Sequence, residues 1–167
     1  MSEYHLEKVI SGGQTGADIA GVKAAKAADI TTGGTMPLGF KTLDGPRPEY
    51  AELYGMKEHS SPHYPGRTYQ NVKDADGTVR FAVNFKTSGE ECTLGAIKKY
   101  GKEKFDVSVL GTTTPEEMVD WMLQKNIRVL NVAGNSEQTA KGMEEFTVAF
   151  LSEVFKLLAS LTPEPAL

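Results

Sequence analysis

A glycine-rich segment near the amino terminus has the residue types of a phosphate-binding loop. Its six residues separate a short apolar run from an alanine-rich stretch, and they are Ser11, Gly12, Gly13, Gln14, Thr15 and Gly16. Glycines let the backbone approach a ligand closely, and a following helix start offers unpaired N–H groups and about half a positive charge. We expect this loop to bind phosphate; a tight strand-to-helix turn is the alternative. The spacing of Thr15 and Asp18 predicts a capping box for that helix.

The same segment excludes two familiar nucleotide sites. Its spacing matches neither GxxxxGK[ST] nor GxGxxG, so it predicts neither a P-loop ATPase nor a standard dinucleotide site. The sequence also lacks a serine at the spacing of a nucleophile elbow. The residue types alone therefore point to a ligand and do not name a reaction.

Two further loops carry polar residues behind predicted strands. In the first, Ser88 and Gly89 can present hydroxyl and amide donors at a helix start. Glu90 and Glu91 beside them suit the helix dipole but would repel a phosphate, so they are candidate catalytic acids or ordinary first-turn acids. The second loop contains Gly134 and has the composition of either a ligand contact or a plain connection.

Among the single side chains outside these loops, Arg67 is the main candidate for binding a phosphate. Arg67 follows a Pro-Gly pair at a predicted helix start, where its guanidinium can bind a phosphate or face solvent; Arg47 is a weaker candidate. His59 and His63 lack further ligands nearby, so we predict no directly bound metal. Cys92 could have a lowered pKa in a helix's first turn, but a small buried residue fits it better.

The elements that must position these loops alternate between strand and helix. Apolar and β-branched runs predict strands over residues 6–11, 78–85, 105–110 and 127–132. Helical periodicity predicts helices over residues 17–28, 67–73, 91–100 and 143–161, with a further helix capped by Thr114 and opened by Pro115. Residues 29–66 are rich in glycine and proline and predict loops with at most short elements. The alternation predicts an α/β fold with a parallel sheet and helices on both faces.

Composition limits the partners and the location. We expect a single domain over residues 1–161 and a flexible tail over residues 162–167. The net charge of −4 argues against nucleic acid, and no apolar run is long enough for a membrane span. A single cysteine and the absence of a signal pattern predict a cytoplasmic protein. The wide apolar arc on the last helix, which includes Phe146, Phe150, Leu151 and Phe155, predicts a homo-oligomer.

The segment over residues 9–18 (VISGGQTGAD) resembles the signature of the molybdenum carrier family, a circularly permuted YpsA-like branch of the SLOG superfamily. The resemblance continues through Gly33-Gly34, Arg67-Thr68 and residues 130–134, and it spans about residues 8–158. It implies a Rossmann-like three-layer sandwich with a mostly parallel sheet that binds a nucleotide or the molybdenum cofactor (molybdopterin). The chain departs from the family at Gly89-Glu90-Glu91, where the family tends to have a glycine pair and threonine, and at Asn135, where it tends to have proline.

Three functions follow from these expectations. The first is a molybdenum cofactor carrier that binds a phosphate-bearing pterin or nucleotide. The second is an enzyme that cleaves a nucleotide N-glycosidic bond, as some distant superfamily members do, with Glu90 or Glu91 stabilising an oxocarbenium-like centre. The third is a nucleotide sensor without catalysis. In each, we expect the phosphate at residues 12–16 and the Gly89 loop at an uncharged or cationic part of the ligand.

Overall fold

Strands and helices alternate along the chain in the computed structural model, which describes residues 4–161. The strands are β1 (Lys8–Ser11), β2 (Thr31–Met36), β3 (Met56–Glu58), β4 (Gly77–Ala82), β5 (Glu103–Ser108) and β6 (Val129–Gly134). The helices are α1 (Ala17–Ala27), α2 (Tyr50–Tyr54), α3 (Tyr64–Asp74), α4 (Ser88–Tyr100), α5 (Pro115–Gln124) and α6 (Met143–Leu161). The predicted tail over residues 162–167 lies outside the described residues.

The six strands form one sheet in the order β3-β2-β1-β6-β4-β5, and every neighbouring pair is parallel. Helices α1, α5 and α6 pack on one face, and α3 and α4 pack on the other. The predicted Rossmann-like α/β architecture is therefore confirmed, with a sheet that is entirely parallel. The chain leaves β1 and β4 in opposite directions along the sheet, so a crevice opens at the carboxyl ends of the central strands.

Strands β2 and β3 lie inside the stretch over residues 29–66, where the sequence predicts mainly loops. Glycine weakens the strand signal of β2, yet the fold needs glycine there. Gly34 has a φ of +131°, and a Cβ at this position would collide with the backbone carbonyl of Ser11 on β1. The need for close approach to the backbone of β1 therefore outweighs the low strand propensity of glycine at this position.

The helix starts confirm one predicted cap and correct another. Thr114 caps α5, since its Oγ1 accepts a hydrogen bond from the Glu117 N–H at 3.2 Å. The capping box predicted for α1 is wrong: the N-cap is Gly16, and no side chain caps the helix. Thr15 Oγ1 instead donates to Gln138 Oε1 at 2.5 Å, because a loop that follows β6 lies against this turn.

The apolar arc of α6 is buried within the subunit. Phe150, Leu151 and Phe155 are each at most 8% exposed, and α6 packs against α1, α5 and β4. Phe81 on β4 contacts Phe150 edge-to-face, with 5.3 Å between ring centroids. The width of the arc is thus explained by two helix neighbours and a strand, and it gives no support to a subunit contact on this face.

Candidate functional site

A cavity of about 350 Å³ opens at the carboxyl edge of the sheet, at the crevice described above. Segments that follow five of the six strands contribute to its wall: Gln14, Leu43, Tyr64, Ser88 and Ser136 each come from a different one. Both its volume and its position are typical of small-molecule sites in open α/β sheets.

Unsatisfied buried polar atoms gather at this cavity. Within residues 4–161, five buried side-chain nitrogen or oxygen atoms have no hydrogen-bond partner. Three belong to residues that line the cavity, namely Tyr64 Oη, Arg67 Nε and Glu90 Oε1. A fourth, Asn131 Oδ1, belongs to a smaller cavity of about 10 Å³ that shares the Asp18 and Arg67 wall. Native interiors satisfy nearly all such groups, so these atoms lack partners that a ligand or solvent would supply.

Arg67 is a positively charged residue that lines the cavity. Its Nη1 donates to Thr68 Oγ1 at 2.7 Å and lies 3.8 Å from Asp18 Oδ2. Its guanidinium also lies over the Tyr64 ring at 5.3 Å, and Lys41 approaches the same ring at 5.4 Å. The side chain of Arg67 is only 13% exposed. Two positive charges therefore lie near the Tyr64 ring, and they would favour an anionic ligand group there.

Gly12 and Gly13 have different structural tasks, and neither requires a ligand. A Cβ at Gly12 would lie 2.7 Å from Arg67 Nη1, so this glycine lets the arginine lie on the loop backbone. Gly13 has a φ of +73°, and a Cβ there would lie 2.7 Å from Cε of Met36 in the core. Gly13 therefore faces the interior rather than the cavity.

The backbone amides of this loop are largely engaged. Gly13 N–H donates to Ser11 Oγ at 3.2 Å, and Thr15 N–H donates to Gln14 Oε1 at 2.9 Å. The Gln14 N–H donates to Asp18 Oδ2 at 3.4 Å, and the first amide of α1 donates to the Asn135 carbonyl at 3.1 Å. A phosphate would have to displace these bonds, so the loop is not an open anion cradle.

Asp18 is a buried acid beneath this loop. Burial raises its pKa from the ordinary 3.8 to about 6, although the Arg67 guanidinium and the Gln14 N–H both lower it. Burial destabilises the charged form of Asp18 by more than Arg67 and the Gln14 N–H stabilise it, so the net shift of the pKa is upward. The position belongs to the predicted loop, but the sequence suggested only a capping role for it.

Glu90 is a second buried acid and is 3% exposed. Burial first, and then the nearby Asp18 carboxyl, raise its pKa from 4.5 to about 7, whereas Arg80 and Asn135 lower it. Asn135 Nδ2 donates to Glu90 Oε2 at 3.4 Å, and Arg80 Nη1 donates to the Glu90 backbone carbonyl at 3.1 Å. Arg80 itself forms two 2.8 Å bonds to Asp106, so its charge is already paired.

Asn135 holds the loops after β4 and β6 together. Its Oδ1 accepts hydrogen bonds from the N–H groups of Val83 and Asn84 at 2.9 and 3.1 Å, and its Nδ2 donates to the Asn84 carbonyl at 3.0 Å. A proline, which the family pattern has here, could make none of these side-chain bonds. Glu90 and Asn135, which both depart from the family pattern, contact each other.

The two candidate acids at the start of α4, Glu90 and Glu91, differ in their exposure. Thr87 caps the helix by accepting the Glu90 N–H at 3.2 Å, and both Ser88 and Gly89 line the cavity. Glu91 is exposed and does not line it. Of the two acids, only Glu90 is placed to contact a ligand.

The structure brings together about half of the sequence-predicted site. The residues that line the main cavity are Gln14, Arg67, Ser88, Gly89, Glu90 and Gly134, and Gly12 lines the smaller one. The predicted residues outside both are Ser11, Gly13, Thr15, Gly16 and Glu91. Sequence reasoning missed Tyr64, Thr68, Thr93 and Asn135 as cavity residues. Two of them carried a signal: Thr68 as part of a family motif, and Asn135 as a departure from the family pattern.

The remaining chemically interesting side chains have ordinary settings. His59 Nδ1 accepts the Ser61 N–H at 3.0 Å, and no three His, Cys, Asp or Glu side chains within residues 4–161 are grouped to hold a metal. Burial raises the pKa of the Cys92 thiol, which opposes a reactive thiolate. Among the described helices, none is both long and apolar enough to cross a membrane.

The chain is similar to known proteins over most of its length. The model of the circularly permuted YpsA SLOG family matches residues 9–155. A crystal structure from Syntrophus aciditrophicus SB, named "putative molybdenum carrier protein", is 31% identical and has a TM-score of 0.82. The match covers 92% of this chain and 97% of that one. None of the curated proteins matches the chain.

Proposed function

The chain belongs to the circularly permuted YpsA SLOG family, as its motifs predicted, and on that premise we propose that it is a carrier protein for a phosphate-bearing small molecule. The ligand is of the pterin or nucleotide class, and the molybdenum cofactor is the proposed cargo. The name of the Syntrophus aciditrophicus protein supports the cargo, since that protein is 31% identical to this chain. We place the carrier in the cytoplasm, in keeping with its single cysteine.

The observation that carries this proposal is the pair of unpartnered donors at the cavity, Arg67 Nε and Tyr64 Oη. Both atoms are buried, and phosphate oxygens are acceptors that suit them. Lys41 adds a second positive charge beside the Tyr64 ring. We therefore assign the phosphate to the Arg67 and Tyr64 side of the cavity.

This assignment changes the role of the glycine-rich loop. Its amides are engaged within the protein, so the loop supports Arg67 and Asp18 instead of cradling the phosphate. Of the expected binding residues, those assigned to direct ligand contact are Gln14, Arg67, Ser88, Gly89 and Gly134. Those assigned to shaping the loop are Ser11, Gly12, Gly13, Thr15 and Gly16. The charge of Glu90 keeps the phosphate away from its carboxylate, since two like charges at about 4 Å cost about 4 kcal/mol at an effective dielectric near 20.

The cargo would be held by its organic part and its phosphate. No grouped set of three metal-ligating side chains is present in residues 4–161, and we propose no direct bond between the protein and molybdenum. The cavity volume of about 350 Å³ is at the lower end of the range of roughly 300–1,000 Å³ for small-molecule sites, which suits one ligand.

Mass spectrometry of small molecules released from the purified protein tests the cargo directly. Thermal denaturation with GMP as the probe tests the site, because a ligand at 100 times its Kd adds about 2.7 kcal/mol of stability. Arg67→Gln should remove most of the resulting shift in Tm, and Arg47→Gln, an exposed arginine elsewhere, is the matched control. An equal shift in Arg67→Gln, or no bound pterin or nucleotide, contradicts the proposal.

A second candidate function is hydrolysis of a nucleotide N-glycosidic bond. It is favoured by Glu90, a buried acid at the cavity with one unpartnered oxygen, which could stabilise an oxocarbenium-like centre. Incubation with purine nucleoside monophosphates separates the candidates. Release of free base that is lost in Glu90→Gln, with binding intact, supports the enzyme. Binding without release supports the carrier, or a nucleotide sensor.

A further inference from the structure

Glu90 presents a buried acceptor that the protein leaves unused. Its carboxyl group is at the cavity wall and 3% exposed, Oε2 accepts one long bond of 3.4 Å from Asn135, and Oε1 has no partner. A buried acceptor without a donor is costly, and a carboxylate can accept about four hydrogen bonds. This group is therefore built to receive donors from a ligand.

The surroundings of Glu90 determine the charge of that donor. The charge of Asp18 on α1 acts on Glu90. Arg80 on β4 forms two bonds to Asp106 on β5, and Lys104 bonds the same Asp106 carboxylate. Arg67 is opposed by Asp18 at 3.8 Å. With Arg67 opposed by Asp18 and Arg80 by Asp106, the charge of the Glu90 carboxylate is left without a paired cation among the described residues, so the matching ligand group is neutral or cationic and rich in N–H.

A planar ring edge with two adjacent N–H donors matches a carboxylate best. The 2-amino-4-oxopyrimidine ring, which guanine and pterin share, offers a ring N–H and an exocyclic amino group side by side. Adenine lacks this pair of donors, and hypoxanthine keeps only the ring N–H. Pro65 and Leu43 in the same cavity give apolar surface against which such a ring can pack.

We propose that Glu90 recognises the 2-amino-4-oxopyrimidine edge of the ligand and so selects guanine or pterin rings over adenine. This rests on the proposed function, in which a phosphate-bearing ring occupies the cavity. Asn135 Nδ2 donates to the same carboxyl from the loop after β6, which leaves Oε1 for the ligand. The phosphate at Arg67 and the ring edge at Glu90 then occupy the same cavity.

Calorimetric titration at pH 8 with GMP, IMP and AMP tests the proposal. The three nucleotides share the phosphate and the ribose, so only the ring edge varies. GMP should bind about 10- to 100-fold more tightly than AMP, the discrimination expected of a two-donor contact, with IMP between them. Glu90→Gln should weaken GMP by a similar factor and leave AMP within about threefold.

The exposed neighbour provides the control variant. Glu91→Gln changes the same net charge in the same helix turn outside the cavity, and it should keep the preference for GMP. A phosphorylated pterin titrated in parallel identifies which ring is preferred, and Glu90→Gln should weaken it too. A circular-dichroism melt confirms that each variant is folded.

The outcomes distinguish this inference from the proposed function. Equal binding of GMP and AMP, or an unchanged preference in Glu90→Gln, overturns the role of Glu90 while ligand binding itself still supports a carrier. Failure of every nucleotide and of the phosphorylated pterin to bind overturns both. Selective loss of GMP and pterin binding in Glu90→Gln supports both.

Discussion

The guanidinium of Arg67 lies on the backbone of Gly12, so that a Cβ at position 12 would be 2.7 Å from Arg67 Nη1. The glycine-rich loop and the arginine come from segments more than fifty residues apart, yet they form one structural unit. Asp18 completes it from the first turn of α1, with its Oδ2 3.8 Å from the same nitrogen.

We predict that Gly12→Ala displaces Arg67 and reduces ligand-induced stabilisation as strongly as Arg67→Ala does. The reason is steric, since the new methyl group would occupy the space of the guanidinium. A double-mutant cycle measured by thermal denaturation with GMP checks this, because contacting residues give non-additive effects. The double variant should equal Arg67→Ala alone. Additive losses would show that Gly12 acts independently.

Gly13→Val should destabilise the protein whether or not ligand is present. A valine there must adopt the φ of +73° and would contact Met36 in the core. Strain and overpacking of this kind cost roughly 1–3 kcal/mol. Urea unfolding without ligand should show this loss, and any residual folded protein should still respond to GMP. Full stability combined with loss of the GMP response would place Gly13 at the ligand after all.

The stability of the protein should depend on pH through Glu90. The folded state raises the pKa of this group from 4.5 to about 7, so its favourable contribution is complete below about pH 4.5 and is lost as the pH rises through 7. As the pH rises from 5 to 8, the free energy of unfolding of the wild type should fall by about 1–3 kcal/mol relative to that of Glu90→Gln. Urea unfolding at several pH values measures this difference. Glu91→Gln should show no such trend.

Asp18→Asn should lower the pKa of Glu90 from about 7 toward its ordinary value, because it removes a neighbouring negative charge. The asparagine still accepts the Gln14 N–H through its side-chain oxygen, so the loop keeps this contact. Carbon-detected NMR titration of the glutamate carboxyl groups follows the shift. Asp120→Asn, on the exposed face of α5, should leave the titration unchanged. An unaltered Glu90 titration in Asp18→Asn would mean that burial alone accounts for the shift.

Phe150→Ala should lower stability by about 3–5 kcal/mol, since Phe150 is 8% exposed and packs on Phe81. It should do so without changing the oligomeric state, because this face of α6 is internal. We still propose self-association, through a surface other than this face of α6. Light scattering of the wild type should give a mass above 18.1 kDa; a monomer at micromolar concentration would contradict self-association.

Local patterns in the sequence predict most of the architecture. The helix over Met143–Leu161 and the Thr114 cap of α5 agree with the structure, because periodicity and capping act between residues a few positions apart. The sequence misses β2, because glycine obscures a strand whose neighbour needs close approach. The sequence also predicts that Thr15 caps α1, but in the structure Thr15 Oγ1 donates to Gln138 Oε1 in the loop after β6.

The α/β class, the family and three of the loops that line the cavity can be predicted from local patterns in the sequence, whereas the contributions of Leu43 and Tyr64 cannot. What each loop does at the cavity depends on contacts between segments that are distant in sequence. Whether a loop amide is free depends on partners such as Asn135, which is more than a hundred residues away along the chain. Likewise, Glu90 and Glu91 are adjacent and chemically equal in sequence, yet one side chain is buried against Asn135 and the other is exposed. Burial and hydrogen bonding set these roles, and both arise from contacts between distant segments that local spacing does not encode.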